Sequence, residues 1–182
     1  MVRKRLDRIL VIDVEATCWE DNPPEKEESE IIEIGICVVQ VASRKVEGRE
    51  SILIKPEYSR VSRFCTQLTT LTQSQVEQGI SFSEACLLLQ KKYCSEERVW
   101  ASYGDYDRRQ FDRQCTRLKI PYPFGPGHLN IKTLFALVYK LPHEVGMAAA
   151  LEKSSLPLLG IHHRGVDDAV NIATLLLKIF PH

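Results

Sequence analysis

Four consecutive apolar residues, Ile9-Leu10-Val11-Ile12, run into Asp13-Val14-Glu15. An unbroken β-branched and apolar run is the pattern of a strand covered on both faces in the middle of a sheet. Glu20 to Glu33 then holds seven acidic residues against one lysine, with Pro23-Pro24 inside it. It is expected to be an exposed loop that enters a second strand, where Ile32, Ile34, Ile36 and Val38 alternate with other residues. Val41 to Gly48 reads as a hairpin connection and Ser51 to Lys55 as a third strand. Strands joined by such short links predict an antiparallel meander.

Beyond Pro56 the period changes to a helical one. Thr72 and Ser81 are expected N-caps, and Phe82, Cys86, Leu87, Leu89 and Gln90 lie in an amphipathic run ending near Cys94. Val99-Trp100-Ala101 is a short strand candidate. A helix is expected from about Asp107 to Lys119, stopped by Pro121 and Pro123, with others from Ile131 to Lys140, Met147 to Glu152 and Gly165 to Ile179. Strands first, then strand and helices alternating, with no internal repeat or long linker, point to a single α/β domain with a mixed sheet.

Several acids fall where core residues belong. Asp13 and Glu15 are two apart on a strand, so their side chains share a face. Two neighbouring carboxylates at the end of a buried strand repel unless a cation lies between them, although a solvated strand end also accommodates a lone D-x-E. In the helix from Asp107, the stripe Phe111, Cys115, Leu118 extends back by four residues to Asp107 itself. Asp105 instead continues into Arg109, Asp112 and Thr116, a polar face, and reads as a cap or surface residue. The last helix repeats the pattern: Asp168, Ile172, Leu175 and Ile179 form an inward line, whereas Asp167 lines up with Asn171, Thr174 and Lys178 on the side expected to be wet. Acids aimed inward from three elements suit a hard divalent cation, Mg²⁺ or Mn²⁺ rather than zinc. His162 and His163 precede the last helix, and His163 stands five residues before Asp168, where an imidazole can take a proton from water.

Composition narrows the classes. The 182 residues are 44% hydrophobic and 26% charged, which excludes a disordered or low-complexity chain. Twenty-four basic and 24 acidic residues give zero net charge, so a nucleic-acid partner must be attracted by local charge. Arg108, Arg109, Arg113, Arg117 and Lys119 supply such a cluster, and Arg164 adjoins the histidines. Six scattered cysteines without a C-x-x-C pair suggest reduced thiols, and no apolar run is long enough for a signal peptide or a membrane span. A cytoplasmic location is expected. The first strand is followed by acids where a dinucleotide-binding protein needs its G-x-G-x-x-G turn.

Three segments taken together resemble a known family. Ile12-Asp13-Val14-Glu15-Ala16-Thr17-Cys18-Trp19, Ser102-Tyr103-Gly104-Asp105-Tyr106-Asp107 and His163-Arg164-Gly165-Val166-Asp167-Asp168-Ala169 are similar, in order, to the three motifs of DEDDh-type DnaQ-like 3′→5′ exonucleases. The A-T-C after D-x-E and the G-D-Y-D second motif look most like the enhanced-RNAi and histone-mRNA 3′-end exonuclease subgroup. The similarity runs from about Arg8 to Phe180, the core of a single exonuclease domain expected over residues 1–182. It implies a ribonuclease-H-like fold, a five-stranded mixed sheet flanked by helices. It implies that Asp13, Glu15, Asp107 and Asp168 hold two divalent ions and that His163 is the general base. It also implies that the chain releases nucleoside 5′-monophosphates from single-stranded 3′ ends, RNA rather than DNA, with Ala16 and Thr17 against the terminal nucleotide. Trp19 is a stacking candidate and Arg164 a phosphate candidate. A nucleic-acid-binding adaptor on the same scaffold, or a mononucleotide phosphohydrolase with the same ions, is the competing reading.

Overall fold

The computed structural model describes residues 5–180. Its sheet has five strands: β1 (Arg5–Ala16), β2 (Ile31–Gln40), β3 (Lys45–Leu53), β4 (Arg98–Ser102) and β5 (His128–Asn130), in the order β3-β2-β1-β4-β5. β1 to β3 form the antiparallel meander, and β1, β4 and β5 run parallel, so the sheet is mixed as expected. β1 is central, which is why its run Ile9–Ile12 is apolar throughout.

Among the described residues, seven helices accompany the sheet: α1 (Arg63–Thr69), α2 (Gln73–Val76), α3 (Phe82–Tyr93), α4 (Tyr106–Leu118), α5 (Ile131–Val138), α6 (Met147–Lys153) and α7 (Gly165–Ile179). On one face Leu10, Ile12 and Val14 pack with Phe82 of α3 and Phe111 of α4. On the other, Ile9 and Val11 pack with Phe135 of α5 and Ile172 and Leu175 of α7. Alternation along β1 therefore puts Asp13 and Glu15 on the α7 face, directly beyond the apolar positions of the same stripe. Thr72 and Ser81 cap their helices as expected, each in a capping box, with Gln75 and Glu84.

Some boundaries differ from the sequence expectation. β3 starts at Lys45, so the connection from β2 is shorter than Val41 to Gly48. Its first residues are mostly exposed on a sheet edge, and an edge strand need not carry an apolar period. α1 and β5 were not anticipated. β5 is three half-buried residues recruited by pairing with Trp100, Ala101 and Ser102, a signal that lies in the partner strand. The acidic segment is not uniformly exposed either. Glu30 is buried and accepts hydrogen bonds from the main-chain N–H groups of Glu57, Tyr58 and Ser59 as well as the Arg117 guanidinium. Glu33 is buried in β2 opposite Glu15.

α7 lies across one face of the sheet, and its first residue, Gly165, comes closest to the strands at Gly35. A Cβ on Gly35 would lie 1.9 Å from the Gly165 carbonyl carbon, and one on Gly165 would lie 3.0 Å from the Asp13 carbonyl oxygen. Only glycine at position 35 lets the helix start this close to the strand that carries the acids.

Candidate active site

The C-terminal end of β1, the first turns of α4 and α7 and the loop before α7 converge on one cavity of about 330 Å³. Asp13, Glu15, Asp107, His162, His163 and Asp168 all line it. Asp13, Glu15 and Asp168 each offer a carboxylate oxygen, and these lie within 4.8 Å of one another. Asp107 is buried as the stripe on α4 predicts, and its Oδ1 accepts the Val14 N–H at 2.9 Å, which fixes it against the residue between the two β1 acids. Asp105 stays near the surface in an ion pair with Arg108, so the two acids of that motif separate as their faces predict.

The histidine loop is tied to α7. His163 N–H donates to Asp168 Oδ2 at 2.9 Å, and the His162 ring approaches the same carboxylate through Nδ1 at 3.1 Å. The two imidazoles stack with centroids 4.0 Å apart. Both histidines reach the cavity, so proximity alone does not separate them. Asp167 corrects the sequence reading. It is buried rather than wet, accepts the Ile161 N–H at 2.8 Å and pairs with Arg49 of β3. Asn171, on the same line, is fully buried. The helical wheel misplaced them because the loop 159–164 folds back over that side of α7 and supplies polar partners.

The expected substrate contacts divide. Ala16 lines the cavity. Trp19 lines a neighbouring cleft with Cys18 and Arg113. Thr17 is fully buried, its hydroxyl joined to the Glu28 carbonyl and the Glu30 N–H, so its side chain holds the loop instead of facing a ligand. The Arg164 guanidinium is engaged at 3.2 Å by both oxygens of Glu33 and does not line the cavity, which removes it as a free phosphate contact. Within the basic stretch of α4, Arg117 is likewise committed to Glu28 and Glu30. Among the lining residues that escaped the sequence reading are Leu68, Tyr103, Tyr106 and Lys132. Leu68 and Tyr106 are exposed apolar walls, and Tyr106 was detectable as an aromatic just off the α4 core stripe.

Packing four acids together has an electrostatic consequence. Burial, reinforced by Asp107 and Glu15, raises the Asp13 carboxyl well above the usual carboxylate range. Burial followed by repulsion from Asp168 and Glu33 pushes Glu15 to about 9. Asp107 is pushed to about 6, chiefly by burial against the opposing Val14 N–H, and burial also raises Asp168. His163 moves down, because burial and the neighbouring His162 both disfavour its cation. Asp13, Glu15 and Asp168 form an all-oxygen donor set whose spacing fits a hard divalent ion, and His162 and His163 form a second close group with the same Asp168.

With the fold and site in view, comparison with known proteins identifies the class: residues 10–176 match the exonuclease (RNase_T) family model, and the chain belongs to that family. Within it, the chain is homologous to the 3′-5′ exoribonucleases. It is 32% identical to 3′-5′ exoribonuclease 1 of Homo sapiens over 95% of this chain and 52% of that protein. The nuclease domain of 3′hExo, a DEDDh family member solved bound to rAMP, superposes with a TM-score of 0.87 at 30% identity, covering 94% of this chain and 90% of that one. A 3′-exonuclease solved in 3′-end-specific recognition of a histone mRNA stem-loop gives 0.84 at 29% identity, over 97% and 64% of the two chains. The ribonuclease-H-like architecture and the subgroup resemblance both hold, and the DEDDh family is divalent-metal dependent. The chain spans about half the length of the curated relatives it matches. Among the described residues, no helix is long and apolar enough to cross a membrane.

Proposed function

We propose that this chain is a 3′→5′ exonuclease that removes nucleoside 5′-monophosphates from single-stranded 3′ ends, RNA in preference to DNA. The observation that carries the reading is the convergence of Asp13, Glu15, Asp107 and Asp168 with a histidine pair in one nucleotide-sized cavity. RNA is preferred because the relatives are named as exoribonucleases. The four acids would hold two ions, Mg²⁺ or Mn²⁺. Such a pair, when bound, supplies Lewis acidity to the attacking and departing oxygens of the scissile phosphodiester.

The remaining work falls to the chain's own groups. His163 accepts the proton of the attacking water. His163 is assigned over His162 by its spacing to Asp168, which matches the family's third motif. Leu68 and Tyr106 offer flat apolar walls for the terminal base, with Ala16 beneath, and Trp19 extends the path toward the next nucleotide. Lys132, half-buried at the cavity and in a loose 3.8 Å pair with Glu144, brings a cation to the phosphate side. We take residues 8–180 as one exonuclease unit. The six cysteines are all free thiols, in keeping with a reducing compartment such as the cytoplasm.

The test uses 3′-labelled and 5′-labelled single-stranded RNA and DNA with Mg²⁺, Mn²⁺ or EDTA, beside an Asp13→Ala variant. Stepwise release of 5′-mononucleotides that requires metal and Asp13 is expected, faster on RNA. Binding without cleavage under every condition would replace the enzyme with an adaptor on the same scaffold.

A further inference from the structure

The segment that presents His163 is held in an unusual way. Leu159 and Ile161 are 40% and 53% exposed, so burial of their side chains does not pin it. Its main chain is pinned instead, at every second amide. Leu159 N–H donates to Asn171 Oδ1 at 2.9 Å, Ile161 N–H to Asp167 Oδ2 at 2.8 Å, His163 N–H to Asp168 Oδ2 at 2.9 Å and Gly165 N–H to Glu33 Oε2 at 3.0 Å. Asn171 also donates Nδ2 to the Leu159 carbonyl at 3.0 Å. All four acceptor side chains are buried.

Resting on the exonuclease reading, we propose that Asn171, Asp167 and Glu33 are positioning residues that form, with Asp168, a rail on which His163 is preset for proton transfer. Two features of the loop argue for a fixed geometry. His163 has φ 63°, a left-handed conformation uncommon for a non-glycine residue, and its own pinned amide holds it there. Gly160 has φ 70°, and a Cβ there would lie 2.3 Å from Asp167 Cγ, so the chain passes directly over the acceptor it serves. Arg49 and Arg164 pair with the two extra buried acids, Asp167 and Glu33, so each acid is held from its other side as well. A loop needed only to connect α6 and α7 requires none of this, since water can satisfy its amides.

The experiment combines exchange and kinetics on the full chain. Amide hydrogen exchange in the wild type should be slow at Leu159, Ile161 and His163, and Asn171→Leu should release Leu159 and its neighbours while the sheet stays protected. Asn171→Leu and Glu33→Gln should each lower kcat on a single-stranded RNA by on the order of tenfold to a hundredfold. KM and Mn²⁺ affinity should stay within about twofold of wild type for this to be loss of positioning rather than of ligands. Each change is repeated on a His163→Ala background under single-turnover conditions. There it should cost nothing further, because a residue acting through His163 has nothing left to position. Losses that multiply with His163→Ala, or an unchanged kcat, would overturn the inference. A wild type that releases no mononucleotide would sink the exonuclease reading itself; amide exchange then decides the rail alone, and free-chain rates at 159, 161 and 163 overturn it.

Discussion

Asp105 and Asp107 are the same amino acid two positions apart, and their different fates follow from which face of α4 each begins. Asp107 heads the line of Phe111 and Cys115 and is drawn into the cavity, whereas Asp105 stays with Arg108 in solvent. Asp107→Asn should therefore cost at least about a hundredfold in mononucleotide release, and Asp105→Asn should leave the rate within about twofold. His163→Ala should lower kcat by about 10²- to 10⁴-fold, the usual contribution of a general base, with binding of a labelled oligonucleotide retained. Away from the site, Glu30 shows that a carboxylate in an acidic run can be structural. It gathers three consecutive N–H groups and Arg117 in a buried position. Glu30→Ala strands those donors, and an equilibrium urea titration should show a loss of about 3–5 kcal/mol.

At the scale of elements, the site depends on α7 starting hard against the sheet. Gly35 of β2 leaves room for the Gly165 carbonyl, and that approach brings Asp168 within reach of Asp13 and Glu15. Gly35→Ala must push the helix away from backbone that cannot yield. A loss of at least about 3 kcal/mol in chemical denaturation is expected, together with a collapse of Mn²⁺ affinity that an equally destabilising change in the distal core, such as Leu89→Ala, does not cause. Neither glycine stands out as a site residue along the chain, because what makes it necessary is a neighbour 130 positions distant in sequence. The same limit governs what else was legible. The core strand, the capped helices and the inward acids of α4 and α7 could be read from local period, since each is set by burial along a single element. Asp167, Asn171, Glu33 and Arg164 could not, because their partners come from a loop folding over α7 and from the strand beside β1. α1 and β5 escaped for a related reason: each is short, and β5 exists through its pairing with β4.

For the whole molecule, equal numbers of acidic and basic residues conceal a very uneven distribution. Four carboxylates share one cavity, and Glu33 adds a fifth nearby charge that is compensated by Arg164. The metal-free fold therefore stores repulsion at the point where β1, α4 and α7 meet, and bound cations relieve it while adding positive charge where a phosphate chain must lie. This leads to two shifts that one thermal-denaturation series can read. Mn²⁺ at about a hundred times its dissociation constant should add about 2.7 kcal/mol to the wild type, a rise of about 5–10 °C for a domain of this size. Asp13→Asn should melt higher than the wild type in EDTA, because the amide removes the cost of burying that raised carboxyl among other acids, and should gain little from Mn²⁺, because a ligand is gone with it. A variant that melts lower in EDTA and still responds fully to Mn²⁺ would show that Asp13 serves packing, and that the cluster at the end of β1 is not the ion site.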